Sequence, residues 1–392
     1  MRDLFAGGTA VRSKDGRGER RGKVISAGER TLPASAGSGG LRPRNVGRVS
    51  IILLSALDYI SYKLYTERMA IRTLLFSRSA SDNVLVNQAI EAALFESVGE
   101  GEAALYIWRN ADAVVIGRNQ DAFAECRVDA LEGAGGVLAR RLSGGGAVWH
   151  DLGNLNFTFI AREGEFVKER NFRILLSALA SLGVQAELSG RNDIMCGGGK
   201  CGGNAYYKKG GTELHHGTLL ISTSPESVGR YLTPPDAKFE GKGVRSVESR
   251  VVALDTVAPG LTAEAAADAI ERAFAAEYPD AGRRDVLPLA LGADKVMKWT
   301  GFFSADDWRY GKRTRRVARA ETELFGGRAV VTKDADGKLC VTSDSLDADA
   351  VDAVNALLAG ESIPDTLNEN ESNAIRAEAE RLRALIGEDE SV

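Results

Sequence analysis

The stretch 139-ARRLSGGGAVWHD-151 places two arginines, three consecutive glycines, a histidine and an aspartate within thirteen positions. Glycine loses more backbone freedom on folding than any other residue, roughly 0.5–1 kcal/mol relative to alanine inside a regular element. A run of three is unfavourable unless the chain there adopts positive φ or lets another group come close to its backbone. With Arg140 and Arg141 alongside, that group is expected to be an anion.

A second glycine-rich block follows, 197-GGGKCGGNAYYKKGGTELHHGTLLIST-223. Its Lys200 is walled by glycines, which would let backbone N–H groups converge on the same anion as the ammonium, as in a phosphate nest. Such a lysine, with Arg141 on a facing loop, suits a site that holds a phosphate and a developing negative charge together. The bland reading of Lys200 is a solvated surface charge. Neither block fits the Walker or the dinucleotide glycine pattern. The chain's three histidines, His150, His215 and His216, all fall in these two blocks. Each alone reads as a satisfied core residue, but their clustering points to a shared pocket.

The whole chain, 392 residues with 44% apolar and 27% charged residues, is long enough for two ordinary domains. Its net charge of −4 conceals an asymmetry, since residues 1–50 hold eleven Lys/Arg against four Asp/Glu. The remainder is therefore acidic, which argues against a nucleic-acid partner. Four irregularly spaced cysteines match neither a disulfide framework nor a zinc site, so a reducing compartment is expected. "VSIILLSAL" is too short to span a bilayer, and no membrane partner is expected. Residues 1–68 read as a disordered extension or a mis-assigned start, with Met69 as the alternative beginning. The localisation read from this is cytoplasmic, or mitochondrial if residues 1–68 are a transit segment. The acids at 3, 15, 19 and 29 weigh against the latter.

From Met69 onward the pattern is α+β. "NVLVNQAIEAALFESV" has helical spacing, and "ALYIWRNADAVVIG" reads as two short strands joined by a polar turn. "NFRILLSALASLG" reads as a helix closed by Gly183, and "TAEAAADAIERAFAAEY" as a helix with Thr262 as its N-cap. "YPDAGRRDVLPLALGAD" reads as a linker. Beyond it, "AVVTKDADGKLCVTSD" reads as two strands around an Asp-Gly turn, with helices at 347–359 and 370–387. The domains so drawn are a catalytic domain at 69–280, a linker at 281–292 and a small α+β accessory domain at 293–392.

"RRLSGGGAVWHD", "GRNDIMCGGGKCGGNAYY", "HHGTLLIS" and "KGVRSVESRV" stand in the order and at much the spacing of the signature segments of lipoate-protein ligases, and "WRNADAVVIGRNQDAFAEC" resembles their N-terminal segment. The resemblance runs from about residue 70 to 278, and more weakly onward. It implies the biotin/lipoate ligase fold, a mixed sheet with flanking helices like that of class II aminoacyl-tRNA synthetases, plus the accessory domain of the two-domain enzymes. It implies activation of lipoate by ATP and Mg2+ to lipoyl-AMP, with release of pyrophosphate. The lipoyl group would then pass to a lysine of a lipoyl domain, on E2 subunits of 2-oxoacid dehydrogenase complexes or the glycine cleavage H protein. Carried over residue by residue, Lys200 would contact lipoate and the α-phosphate. Arg141 would touch ATP and lipoate, and Gly146, Ala147, Val148 and Trp149 would touch ATP. Asn192 and Asp193 would lie by the adenylate and magnesium, with His150 and His216 behind them. Val148 and Leu219 would wall the tunnel for the tail.

Cys196 and Cys201 flank the lysine and leave an alternative open, because transferases of this fold carry octanoyl on a cysteine without ATP. The long C-terminal part favours the ligase, whose accessory domain would act as a lid between adenylation and transfer. A biotin ligase is disfavoured because "RRLSGGG" replaces its basic loop. A non-catalytic lipoate- or nucleotide-binding regulator is disfavoured by the retention of Lys200 and Arg141.

Overall fold

The computed structural model describes residues 71–190, 192–233, 251–311, 316–364 and 367–388. The expectations for residues 1–68 and for most of "KGVRSVESRV" lie outside them.

The body is an eight-stranded mixed sheet. Its strands are β1 (Thr73–Arg78), β2 (Glu102–Trp108), β6 (Asn154–Arg162), β7 (Ala186–Ser189), β8 (Asp193–Cys196), β9 (Gly199–Lys209), β10 (Thr212–Leu220) and β11 (Gly282–Asp285), ordered β11-β1-β2-β6-β10-β9-β8-β7. β1 pairs in parallel with β11 and β2, and every other neighbour is antiparallel. A three-stranded sheet of β3 (Ala113–Ile116), β4 (Val137–Arg140) and β5 (Val148–His150), ordered β4-β3-β5, stands beside it. The two strands read in "ALYIWRNADAVVIG" thus belong to different sheets, so its polar turn is a crossing point rather than a hairpin.

Strand β6, NLNFTFIAR, shows why the body has two layers of packing. Side chains alternate across a strand. Leu155, Phe157 and Phe159 enter a core with residues of helices α2 (Lys168–Ser181) and α3 (Ala263–Glu277), among them Phe172, Leu175, Ile270 and Phe274. On the opposite face Ile160 packs with Tyr106, Trp108 and residues of helix α1 (Val84–Phe95), including Ile90 and Leu94. Local chemistry sets the helix ends. Asn83 Oδ1 caps α1 by accepting from Leu85 N at 2.9 Å, and Thr262 Oγ1 caps α3 by accepting from Ala265 N at 3.1 Å.

Two expectations about the chain's second part need correction. Gly282–Asp285, read within the linker, is the edge strand of the main sheet, because its backbone completes the parallel ladder of β1. Helix α4 (Ala293–Ser304), read as the start of the accessory domain, buries Phe303 against Ala89 and Ala92 of α1. The accessory core begins later. It joins β12 (Arg316–Leu324), β13 (Gly327–Asp334) and β14 (Leu339–Ser343) to helices α5 (Ala348–Leu358) and α6 (Glu369–Glu388). Among the described residues no helix is long and apolar enough to cross a membrane.

The turn before α5 rests on the glycine loop. Gly145 N donates to Ser345 O at 2.9 Å, Asn119 Nδ2 donates to Ala348 O at 2.8 Å, and Arg118 pairs with Asp349 and, at 3.0 Å, with Asp352.

Candidate active site

A cavity of about 150 Å³ lies on the face of the large sheet that carries Trp108, Asn156, Thr218 and Gly203, roofed by α1 and by the loop between β4 and β5. The register aligns these four residues in one row across β2, β6, β10 and β9. Three inter-strand steps of about 4.8 Å give the row a length of about 14 Å. Exposure falls along it. Lys200 and Gly146 stand at an open rim, whereas Gln88, Asn156 and His150 are 2%, 1% and 3% exposed. The site is therefore a blind pocket entered beside the lysine.

Lys200 is a strand residue and not a loop residue. Gly197 and Gly198, at φ 55° and 81°, form the two-residue connection of the β8–β9 hairpin, a position that demands left-handed backbone. The nest expected from the glycines is thus a hairpin turn, with Lys200 opposite Met195 in the ladder and its O accepting from Val252 N at 2.9 Å. Its Nζ lies 2.7 Å from Asp193 Oδ1, both side chains being about a third exposed. Asn192 also lines the cavity, and its Nδ2 donates to Asn204 O at 3.1 Å.

Alternation decides the neighbours of Lys200. Cys201 points to the opposite face of β9, into the same core as Cys196, and its Sγ donates to Ile194 O at 3.4 Å. Burial pushes the Cys201 thiol well above its ordinary range. A thiolate nucleophile is not available there. The same alternation separates the histidines. His216 and His150 line the cavity, whereas His215 lies on the far face among Phe157, Phe159 and Phe172. Leu219, expected to wall the tunnel, is likewise in that far core. Trp149 packs its ring against Tyr231, away from the cavity that Ala147, Val148 and Gly146 line.

Arg141 is buried and spends its guanidinium on the glycine loop. Nε donates to Ser143 Oγ and Gly144 O at 3.1 Å each, Nη2 to Gly144 O at 2.7 Å and Gly146 O at 2.8 Å, and Nη1 to Val115 O at 3.1 Å. Burial lowers its pKa to about 10, which leaves it charged. One Nη1 hydrogen remains for a ligand. Arg140 is used likewise, on carbonyls of residues 117, 118, 120, 308 and 309.

The glycines let backbones meet. A Cβ on Gly144 would lie 2.2 Å from Ser345 O, and one on Gly145, at φ 94°, would lie 2.8 Å from Arg141 Nη2. The loop is thus pressed between Arg141 and the accessory turn. His216 fastens it to α1, since Nε2 meets Ser143 Oγ at 2.6 Å and Nδ1 meets Glu91 Oε1 at 2.9 Å. Thr158 Oγ1 also donates to Glu91 Oε1, at 2.6 Å.

Sequence reasoning missed Gln88, Glu91, Trp108, Asn156 and Asn204. The signal available was polarity in the wrong place: Gln88 and Glu91, beside Asn87, inside a mostly apolar helix, and Asn156 in an aromatic strand. Among the described residues no group of three or more His, Cys, Asp or Glu is arranged to hold a metal.

Residues 83–275 match the family model described as lipoyl protein ligase A/B catalytic domain. The chain is 35% identical over 293 residues to lipoate-protein ligase A of Psychrobacter cryohalolentis, an alignment spanning 72% of this chain and 86% of the relative. Three solved structures share its fold, each at 25% identity. P. falciparum LipL1 in complex with lipoate covers 80% of this chain and 99% of its own, with a TM-score of 0.66. The bipartite lipoate protein ligase of Thermoplasma acidophilum, solved in a study that includes its E2 lipoyl domain, covers 64% and 100%, at 0.53. A lipoate-protein ligase A bound with ATP covers 62% and 99%, at 0.51.

Proposed function

Because the chain belongs to the lipoate-protein ligase family, we propose that it activates lipoate with ATP and transfers the lipoyl group to a lysine of an acceptor lipoyl domain, on E2 subunits or the glycine cleavage H protein. A carboxylate oxygen attacks the α-phosphorus and the bond to pyrophosphate breaks. The acceptor amine then attacks the acyl carbon, and AMP leaves. Both reactants of the first step are anions, so the site must bring them together against repulsion.

The observation that carries this reading is Lys200 at the rim of a blind pocket, opposite the glycine loop. The tail of the acid would occupy the pocket behind the lysine, leaving its carboxylate at the ammonium. The exposed backbone of residues 146–148 would receive the nucleotide, with Arg141 shaping that backbone and offering its remaining N–H. Trp149 would contribute through its main chain. His216 and Glu91 would hold α1 and the loop in register. ATP brings magnesium with it, a cation commonly held by one or two carboxylates and the phosphates themselves. Asp193 is the carboxylate beside Lys200, and the ion would neutralise phosphate charge there. The accessory turn at 343–349, bonded to Gly145 and Asn119, supports a lid that steadies the loop for adenylation.

The test is pyrophosphate release from ATP with lipoate and no acceptor protein. Lipoate-dependent release is expected, since adenylation precedes transfer. ATP-independent transfer from an acyl carrier would establish a transferase instead, and binding without turnover a regulator.

A further inference from the structure

The closed end of the pocket has more hydrogen-bonding capacity than an aliphatic tail can use. Gln88 lines it from α1 at 2% exposure, and neither its Nε2 nor its Oε1 has a hydrogen-bond partner among the described residues. His150 lines it from β5 at 3% exposure, with Nε2 likewise unpartnered. Buried polar side chains are normally satisfied, so three such atoms around one cavity point to a ligand.

The proton on His150 follows from its neighbours. Asn87 Nδ2 donates to the carbonyls of Ser81 at 3.0 Å and Arg109 at 2.8 Å, which identifies it as the amide nitrogen. Asn110 Oδ1 lies 2.9 Å from the same nitrogen and shares its hydrogens, since the reverse orientation would face two amide nitrogens, so Asn110 turns its own Nδ2 to His150 Nδ1 at 2.8 Å. Nδ1 is therefore the acceptor, and the neutral ring carries its hydrogen on Nε2. Burial keeps the ring neutral, with a pKa lowered to about 3. Trp108 stands beside it, ring centroids 6.2 Å apart. The end of the pocket thus offers an imidazole N–H and a whole carboxamide, beside an aromatic wall.

We propose that Gln88 and His150 select acids whose far end carries lone pairs, a dithiolane in particular, over the same eight-carbon chain ending in a methyl group. This rests on the lipoate-ligase reading. A dithiolane presents two polarisable sulfurs that accept from the Gln88 amide and from His150 Nε2–H. A methyl terminus excludes water from those groups and gives nothing back, which leaves them buried without partners. Sites built to hydrogen-bond a substrate reject analogues lacking the group strongly, and because sulfur is a weak acceptor the discrimination here is expected at ten- to hundredfold.

The experiment measures kcat/KM for pyrophosphate release with lipoate and with octanoate, for the full chain and for Gln88→Leu and Gln88→Met, with thermal melts to verify folding. The unaltered protein should favour lipoate at least tenfold. Either substitution should bring the ratio to within about threefold, by raising octanoate use as well as lowering lipoate use. A ratio near one in the unaltered protein overturns the proposal and needs no variant to do so. A ratio preserved in a folded Gln88 variant also overturns it. If neither acid drives pyrophosphate release, the ligase reading itself fails, an outcome distinct from equal use of both.

Discussion

Replacing Lys200 by methionine separates a catalytic role from a structural one, because the two predict effects of different size. The stem of Lys200 runs past Gly203, and methionine preserves most of that contact while removing the ammonium. The ion pair lost is the one with Asp193 at 2.7 Å, with side chains 39% and 35% exposed. Pairs so open to water contribute about 0–1 kcal/mol to stability. For a protein of this size that corresponds to a shift in Tm of at most roughly 4 °C. Loss of a pre-organised donor to developing charge costs about 2.7–4 kcal/mol of transition-state stabilisation, or 10²–10³ in rate. Lys200→Met should therefore melt within about 4 °C of the unaltered protein and release pyrophosphate at least a hundredfold more slowly. The assays are lipoate-dependent pyrophosphate release at saturating ATP and thermal denaturation in the same buffer. A rate loss below tenfold, with the fold intact, would refute the assignment of Lys200 as the group that meets both reactants. A Tm lowered by 10 °C or more would show that its role is to hold the β8–β9 hairpin.

Three other perturbations test different parts of the site. Gly145→Val should raise the ATP dissociation constant at least tenfold by calorimetry, since the position has φ 94° and its Cβ would press on Arg141 Nη2; unchanged affinity would mean that the loop's backbone does not meet the nucleotide. His150 is neutral in the fold, with a pKa of about 3 against about 6.5 in the unfolded chain, so the unfolded state binds the extra proton and stability declines as pH falls below 6.5. Between pH 6.5 and 5 that amounts to about 2 kcal/mol, with His215, lowered in the same direction by burial, adding its own share. His150→Asn should flatten, though not abolish, the fall of Tm with pH, and an unchanged slope would contradict a buried neutral ring. Ending the chain after residue 311 should leave a soluble body that transfers preformed lipoyl-AMP but makes it at least tenfold more slowly, whereas ending it at 282 should leave insoluble protein, because β11 and α4 complete the main body. Undiminished adenylation by the longer fragment would dismiss the lid.

What was legible in the sequence was whatever depends on near neighbours in the chain. The cap at Thr262, the glycine that closes a helix at 183 and the positive φ at Gly145 are local demands of backbone and side chain, and each stands where its pattern said. The residues around Lys200 and the glycine run were visible for the same reason. What only the tertiary structure decided was which face a residue shares and which groups compete for it. Lys200 and Cys201 are adjacent in the chain but face different compartments, because the pleat of β9 sends one to the pocket and the other to the core. Arg141 reads as an anion binder until Val115 O, 26 residues away, and the carbonyls of its own loop are seen to take most of its donors. Gln88 reads as an ordinary helix residue until the register of β2, β6 and β10 brings Trp108, Asn156 and Thr218 under it. Periodicity along the chain sets which residues face inward, but the register between distant strands sets what they face, and the chemistry of the site follows from the second.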